Sequence, residues 1–146
     1  MSPAVAAGDH VFTESITFTR RKPSRGDIVA FSTLGIRSLP QDTVYLKRVA
    51  GVPGEHIRIS GGELYVDGIP VPMKNAFGQI AYEFPEQWSN LASNVELTVQ
   101  PDEYYLLGDN STNSFDSRSF GCVPRQNIQG RIYFCYWPLR RFGFVQ

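Results

Sequence analysis

Alternation with a period of two is the feature that most limits what this chain can become. "DIVAF" (27–31), "TVYLKRVAG" (43–51), "HIRIS" (56–60), "ELYVDG" (63–68), "NVELTV" (94–99), "EYYLLG" (103–108) and "GRIYFCYW" (130–137) are rich in β-branched and aromatic residues and alternate apolar with polar positions or form short apolar runs. Successive side chains of a strand point to opposite faces, so these segments suit pleated, half-buried strands better than helices. Turn chemistry lies between them. Pro53-Gly54 suits the central positions of a type II turn, because proline presets the first φ and glycine accepts a positive second one. Asp67-Gly68 suits a tight hairpin turn for the same steric reason. With 13 Gly and 10 Pro spread over 146 residues, turns are frequent, and the expected fold is mostly β and antiparallel. That length suits a single domain over residues 1–146 with its own core.

One stretch breaks the rhythm. Residues 73–93, "MKNAFGQIAYEFPEQWSNLAS", alternate weakly and mix Pro85 and Trp88 with polar residues, which reads as a smaller inserted excursion, a short helix or hairpin. The closing "RRFGFVQ" is too short and too basic to span a bilayer and is expected to dock on the body of the fold. Fourteen basic and fourteen acidic residues give no net charge, so no long-range field favours nucleic acid. No basic segment followed by an apolar run marks a leader, and no run of eighteen apolar residues marks a span. Cys122 and Cys135 are too few for a disulfide scaffold and form no metal-ligand cluster with His10 and His56; two buried thiols or one bridge both fit. No metal or cofactor is expected. The two histidines stand at strand starts with no triad partner beside either, which argues against histidine-based catalysis.

Three blocks carry chemistry: "RGDIVAF" (25–31), "YLKRVAGVPGE" (45–55) and "GDNSTNSFDSRSFG" (108–121). In a strand Tyr45, Lys47 and Val49 share one face and Leu46, Arg48 and Ala50 the other, so one of the adjacent cations points inward if either face is buried. A lysine among apolar neighbours loses hydration of its charged form, its pKa falls, and it becomes a usable general base. Spacing alone equally allows Lys47 to reach the sheet rim while Arg48 pairs with a carboxylate. The third block crowds Asp109, Asn110, Asn113, Ser114, Asp116, Ser117 and Arg118 together. That density fits a solvated turn cluster or a polar network that orients a catalytic group.

In order and wording these blocks, with "LYVDGIPV" and "GRIYFCYWPL", resemble type I signal peptidases, membrane-bound serine proteases that remove signal peptides from exported proteins. The resemblance covers most of the chain. It implies a largely antiparallel, barrel-like β scaffold carrying a Ser/Lys dyad, with Lys47 as general base and Ser114 orienting its ammonium. Asp116 and Arg118 match the acidic and basic residues that brace the site, and Asp109 matches a structural acidic residue. Met1, Ser2 and Pro3 align beside the nucleophile, which falls on the position immediately before Met1. The chain as given is therefore expected to lack both that serine and the membrane anchor, and to be inactive alone. Ser2 is not expected to replace it, since two residues of strand advance the chain by about 6.6 Å, beyond the reach of the base. Ser111 and Thr112 stand where many relatives have a charged pair, which puts the bracing of that side of the site in question. The partners implied are exported preproteins and the membrane surface, with the full-length protein at the extracytoplasmic face of the cell membrane. A module that binds extended peptides without cleaving them, or an inactive family member, is the alternative.

Overall fold

The structure, a computed structural model, describes residues 1–84 and 95–145. In chain order its strands are β1 (His10–Glu14), β2 (Ile28–Ser32), β3 (Val44–Gly51), β4 (His56–Ser60), β5 (Glu63–Val66), β6 (Ile69–Pro70), β7 (Lys74–Asn75) and β8 (Gly78–Gln79). They continue with β9 (Val95–Thr98), β10 (Glu103–Leu107), β11 (Val123–Pro124), β12 (Ile128–Trp137) and β13 (Gly143–Phe144). Two single-turn helices, α1 (Thr17–Arg20) and α2 (Ser117–Phe120), interrupt them.

Among the described residues the larger sheet runs β1-β12-β2-β3-β10-β11, with β13 also on β12, and a smaller one runs β6-β5-β4-β9. Every pairing is antiparallel, so the mostly β, antiparallel reading holds, with open sheets and no closed barrel. The turns follow the steric logic of their sequences. Gly54 adopts φ +87° and the Glu55 N–H reaches the Val52 carbonyl, as a type II turn requires. Asp67 and Gly68 both take positive φ, closing the β5–β6 hairpin in the twist-compatible form.

Alternation sorts the core. Ile57 and Ile59 of β4 with Leu64 and Val66 of β5 pack against Ala50, Tyr105 and Leu107, and so join the small sheet to β3 and β10. Met73, Ile80 and Tyr82 from the 73–84 segment fill the same cluster. Val29, Phe31, Val49, Leu106 and Ile128 form a second cluster with the 36–39 loop. A third, built from Ile28, Ala30 and Ile132, holds Ala4 and Val5, with Met1 and Leu46 packed against it. Burying a Val, Leu, Ile, Phe or Met side chain contributes about 1.5–3 kcal/mol, so Val5, with Ala4 and Met1 beside it, seats the N-terminal segment on β2 and β12.

That segment is not a strand. Residues 1–5 form a turn in which the Val5 N–H meets the Met1 carbonyl at 3.1 Å, because Ala4 and Val5 turn together onto the third cluster instead of alternating. The described part of the inserted excursion is a run with the small β7–β8 pair, closed on itself by Ile80 N–H to Met73 O and tied to the small sheet by Tyr82 N–H to Gly62 O, both 2.8 Å. Pro85, Trp88 and the rest of the excursion lie outside the described residues. The tail docks through β13 and through the Val145 N–H on the Tyr133 carbonyl at 2.9 Å. Its Phe142 and Phe144 remain exposed, edge-on to Phe134. Cys122 and Cys135 are both free thiols, and burial pushes Cys122 up to about 11, leaving it unreactive at neutral pH.

Candidate active site

Register brings the pieces together. β2 pairs with β3 along Val44–Arg48, and β10 joins β3 on the other side only from Arg48 onward. Among the described residues the first half of β3, Val44–Lys47, therefore has a strand on one edge and none on the other. Past Leu107 the chain leaves the sheet at Gly108, and the loop from Asp109 to Arg118 folds back over this point.

Both cations of the Lys47-Arg48 pair are buried, at 8% and 3% exposure. Alternation sends them to opposite faces, and the loop supplies a partner for each. The Lys47 Nζ donates to Ser114 Oγ at 2.9 Å. Arg48 makes a forked pair with Asp109, Nε to Oδ1 at 2.8 Å and Nη2 to Oδ2 at 2.7 Å, while its Nη1 donates to the Gly26 carbonyl. Desolvation lowers the Lys47 pKa from its ordinary value; Asp116 opposes this, Arg118 adds to it, and Asp109 opposes it less strongly. A buried lysine without a direct carboxylate bond is poised to lose its proton.

Asp116 and Arg118 form a second pair whose side chains are wholly enclosed. Asp116 accepts the Gly108 N–H at 3.0 Å and the Arg118 N–H at 3.2 Å, which caps α2 and pins the loop to the end of β10. Ser117 Oγ accepts the Leu106 N–H at 2.9 Å on the same strand. The Met1 amino group loses basicity through burial and then through the Lys47 charge, with Asp109 opposing, so the start of the chain lies within the field of the site. Ser2 is exposed on its turn, and Pro3 is held by its carbonyl, which accepts from Arg141 Nη2 at 2.7 Å.

A sequence model described as "Signal peptidase, peptidase S26" matches residues 1–137. The chain belongs to this signal peptidase family. It is 33% identical over 146 residues to a probable signal peptidase I-2 of Synechocystis, covering 99% of this chain and 62% of that protein. A signal peptidase I of Leptolyngbya laminosa is 33% identical over 98% of this chain and 67% of its own length. The chain thus spans about two thirds of the length of these relatives. The crystal structure of a signal peptidase I from Enterococcus faecalis superposes with a TM-score of 0.55 at 25% identity, over 76% of this chain and 97% of that one.

One residue of the site escaped the sequence, and a second stood out there only as a departure from the family. Gly108 looks like an ordinary strand-ending glycine, yet a Cβ placed on it falls 2.0 Å from Ser114 Oγ, 2.7 Å from Ser114 Cβ and 3.4 Å from Lys47 Nζ. Nothing local in "YYLLGDN" signals that contact. Gly108→Ala is expected to displace the Ser114 hydroxyl from Lys47, lower stability by about 1–3 kcal/mol, and lower any Lys47-dependent activity of the full-length protein by a factor of about a hundred. Urea unfolding and kcat on the same preparation check both effects. Ser111 is the other residue, buried where a charged side chain was the family expectation.

Proposed function

We propose that this chain is the catalytic part of a Ser/Lys endopeptidase that removes signal peptides from exported preproteins. The observation that carries the reading is the buried, desolvated Lys47 amine held 2.9 Å from Ser114 Oγ. In the full-length protein the nucleophile is a serine just before Met1, in keeping with the electrostatic coupling between the Met1 amino group and Lys47, since the preceding residue is bonded to that nitrogen.

Each group then has a task. Ser114 accepts one N–H of Lys47 and so aims the amine's lone pair. Neutral Lys47 takes the proton of the serine hydroxyl as its oxygen attacks the scissile carbonyl, and the resulting ammonium returns that proton to the departing amine. With the acyl group on serine, Lys47, neutral again, takes a proton from water as the water oxygen attacks the acyl carbon, and returns it to the departing serine oxygen, which frees the signal peptide with a new carboxyl terminus. Asp116 and Arg118 fix the loop that carries Ser114, and Asp109 neutralises Arg48 beside it. The unpaired edge of Val44–Lys47 suits an extended substrate adding one strand, with small residues such as Ala before the scissile bond in shallow pockets.

The test is cleavage of a preprotein by the full-length, membrane-anchored protein. Cleavage that Lys47→Met removes supports the reading; no cleavage, or cleavage indifferent to Lys47, overturns it in favour of peptide binding alone. The pH profile is a second check. Because the base must be neutral and its pKa is lowered, kcat/KM is expected to rise with pH through a limb placed below the ordinary lysine value of 10.5. A limb at that ordinary value would mean an exposed, unperturbed amine.

A further inference from the structure

Arg118 is saturated. Beyond its two bonds to Asp116, Nη1 donates to Ser111 Oγ at 2.9 Å and to the Glu83 carbonyl at 2.5 Å, and Nη2 donates to the Ser111 carbonyl at 2.7 Å. Every N–H of the guanidinium is used. Ser111 Oγ in turn donates to the same Glu83 carbonyl at 2.8 Å, and the Phe84 ring lies 5.6 Å from the guanidinium carbon. Glu83 and Phe84 end the described part of the inserted segment, whose Ile80 and Tyr82 are locked in the core between the sheets. Asn75 of the same segment approaches Asp109 Oδ2 at 3.4 Å.

The inserted segment and the Ser114 loop are therefore joined at the Glu83 carbonyl twice, directly by Arg118 and by the Ser111 hydroxyl, which both accepts from Arg118 and donates to that carbonyl. We propose that Ser111 is a positioning residue: by holding both Arg118 and the Glu83 carbonyl beside the direct bond between them, it fixes the loop against the core-anchored insertion and thereby holds Ser114 on Lys47. A charged side chain in its place would need a counterion, whereas a hydroxyl meets the guanidinium and the carbonyl with one small group. The chain of contact is short. Ser111 sets the far side of Arg118, Arg118 sets Asp116, and Asp116 holds the Gly108 N–H, the point where Ser114 has room to reach the amine. Without the hydroxyl, the loop gains freedom to lift and admit water to Lys47.

The proposal rests on the reading of Lys47 as the base, but its test does not need cleavage. With isotope-labelled lysine side chains, NMR titration of residues 1–146 follows Lys47 directly, and exposed Lys22 and Lys74 serve as controls in the same spectrum. The charged groups that act on Lys47 are Asp116, Arg118, Asp109 and the Met1 amine, and Ser111→Ala changes the charge of none. Ser111→Ala is expected to move the Lys47 titration upward by about half a pH unit or more, because readmitted water favours the ammonium. Ser111→Thr, which keeps the hydroxyl, restores the original midpoint; near-isosteric Ser111→Cys, with its weak donor, falls between and serves if the alanine variant does not fold. In the full-length protein the same alanine change is expected to lower kcat about tenfold with KM within twofold, and the kcat/KM limb shifts with the titration.

An unmoved or lowered Lys47 midpoint in folded Ser111→Ala or Ser111→Cys overturns the proposal, as does a threonine variant that behaves like alanine. If the NMR pattern appears while the full-length protein cleaves no preprotein, the positioning role stands and the protease reading falls.

Discussion

Replacing Lys47 by methionine is expected to abolish preprotein cleavage by the full-length protein and, in the same molecule, to raise its melting temperature. The activity loss is about ten-thousandfold or more, because on the proposed reading the serine loses the group that takes its proton, and among the described residues no hydrogen bond brings another base to Ser114. The stability gain has a separate origin. Lys47 is 8% exposed and among the described residues donates to no carboxylate, so the folded chain bears a desolvated charge that methionine of similar length removes. About 1–2 kcal/mol is the scale of such replacements, or about 3–8 °C for a chain of this size.

The pH dependence fixes the cause. Since the folded-state pKa is lowered, the unfolded chain holds more protons between that value and 10.5, and wild-type stability rises with pH across this window. The advantage of methionine is therefore full below the folded pKa and shrinks as pH climbs toward 10.5. Thermal melts of both proteins across the alkaline range measure it. A gain that is flat with pH would assign the effect to packing instead of charge.

Asp116→Ala is expected to do the opposite, lowering stability by about 3–5 kcal/mol, against total stabilities of about 5–15 kcal/mol for domains in general. The carboxylate accepts from the Gly108 N–H, the Arg118 N–H and two guanidinium nitrogens, and neither it nor the Arg118 side chain meets solvent. Alanine would strand a buried cation and two backbone donors at once. Urea denaturation is the direct measurement. Asp116→Asn should cost less than alanine but remain clearly destabilising, because it keeps the shape and part of the acceptor set while losing the charge. A loss below about 1 kcal/mol for the alanine variant would show that water reaches this pair.

Local pattern explains which parts of this architecture were readable. Val44–Gly51 and Ile128–Trp137 announce themselves because alternation and β-branched content act within each segment. Val123–Pro124 and Gly143–Phe144 are too short to carry any period and pair only because longer strands lie beside them. The N-terminal turn was misread through parity, since what bends it is the third core cluster and not its own sequence. At the site, the resemblance named Lys47, Ser114, Asp109, Asp116 and Arg118, and the fold brings them together. It did not reveal that both Lys47 and Arg48 would be enclosed, because strand parity turns one away from any single buried face and only a loop folding over the strand encloses both. Gly108 and Ser111 acquire meaning solely from neighbours distant along the loop or in the insertion.

The bonds of Arg141 to the Pro3 and Ala4 carbonyls and to Asp9 carry a consequence for the order of synthesis. These partners stand 138, 137 and 132 positions apart, so the turn that leads into the site emerges from a ribosome on the order of ten seconds before the residue that clamps it. Until Arg141 arrives, the Pro3 and Ala4 carbonyls and the Asp9 carboxylate lack that clamp, and Ile132, which completes the cluster under Ala4 and Val5, precedes it by only nine residues. The turn beside the site is thus completed only once β12 and the residues just after it have emerged, whereas the small sheet, whose strands lie between His56 and Thr98, has had time to form.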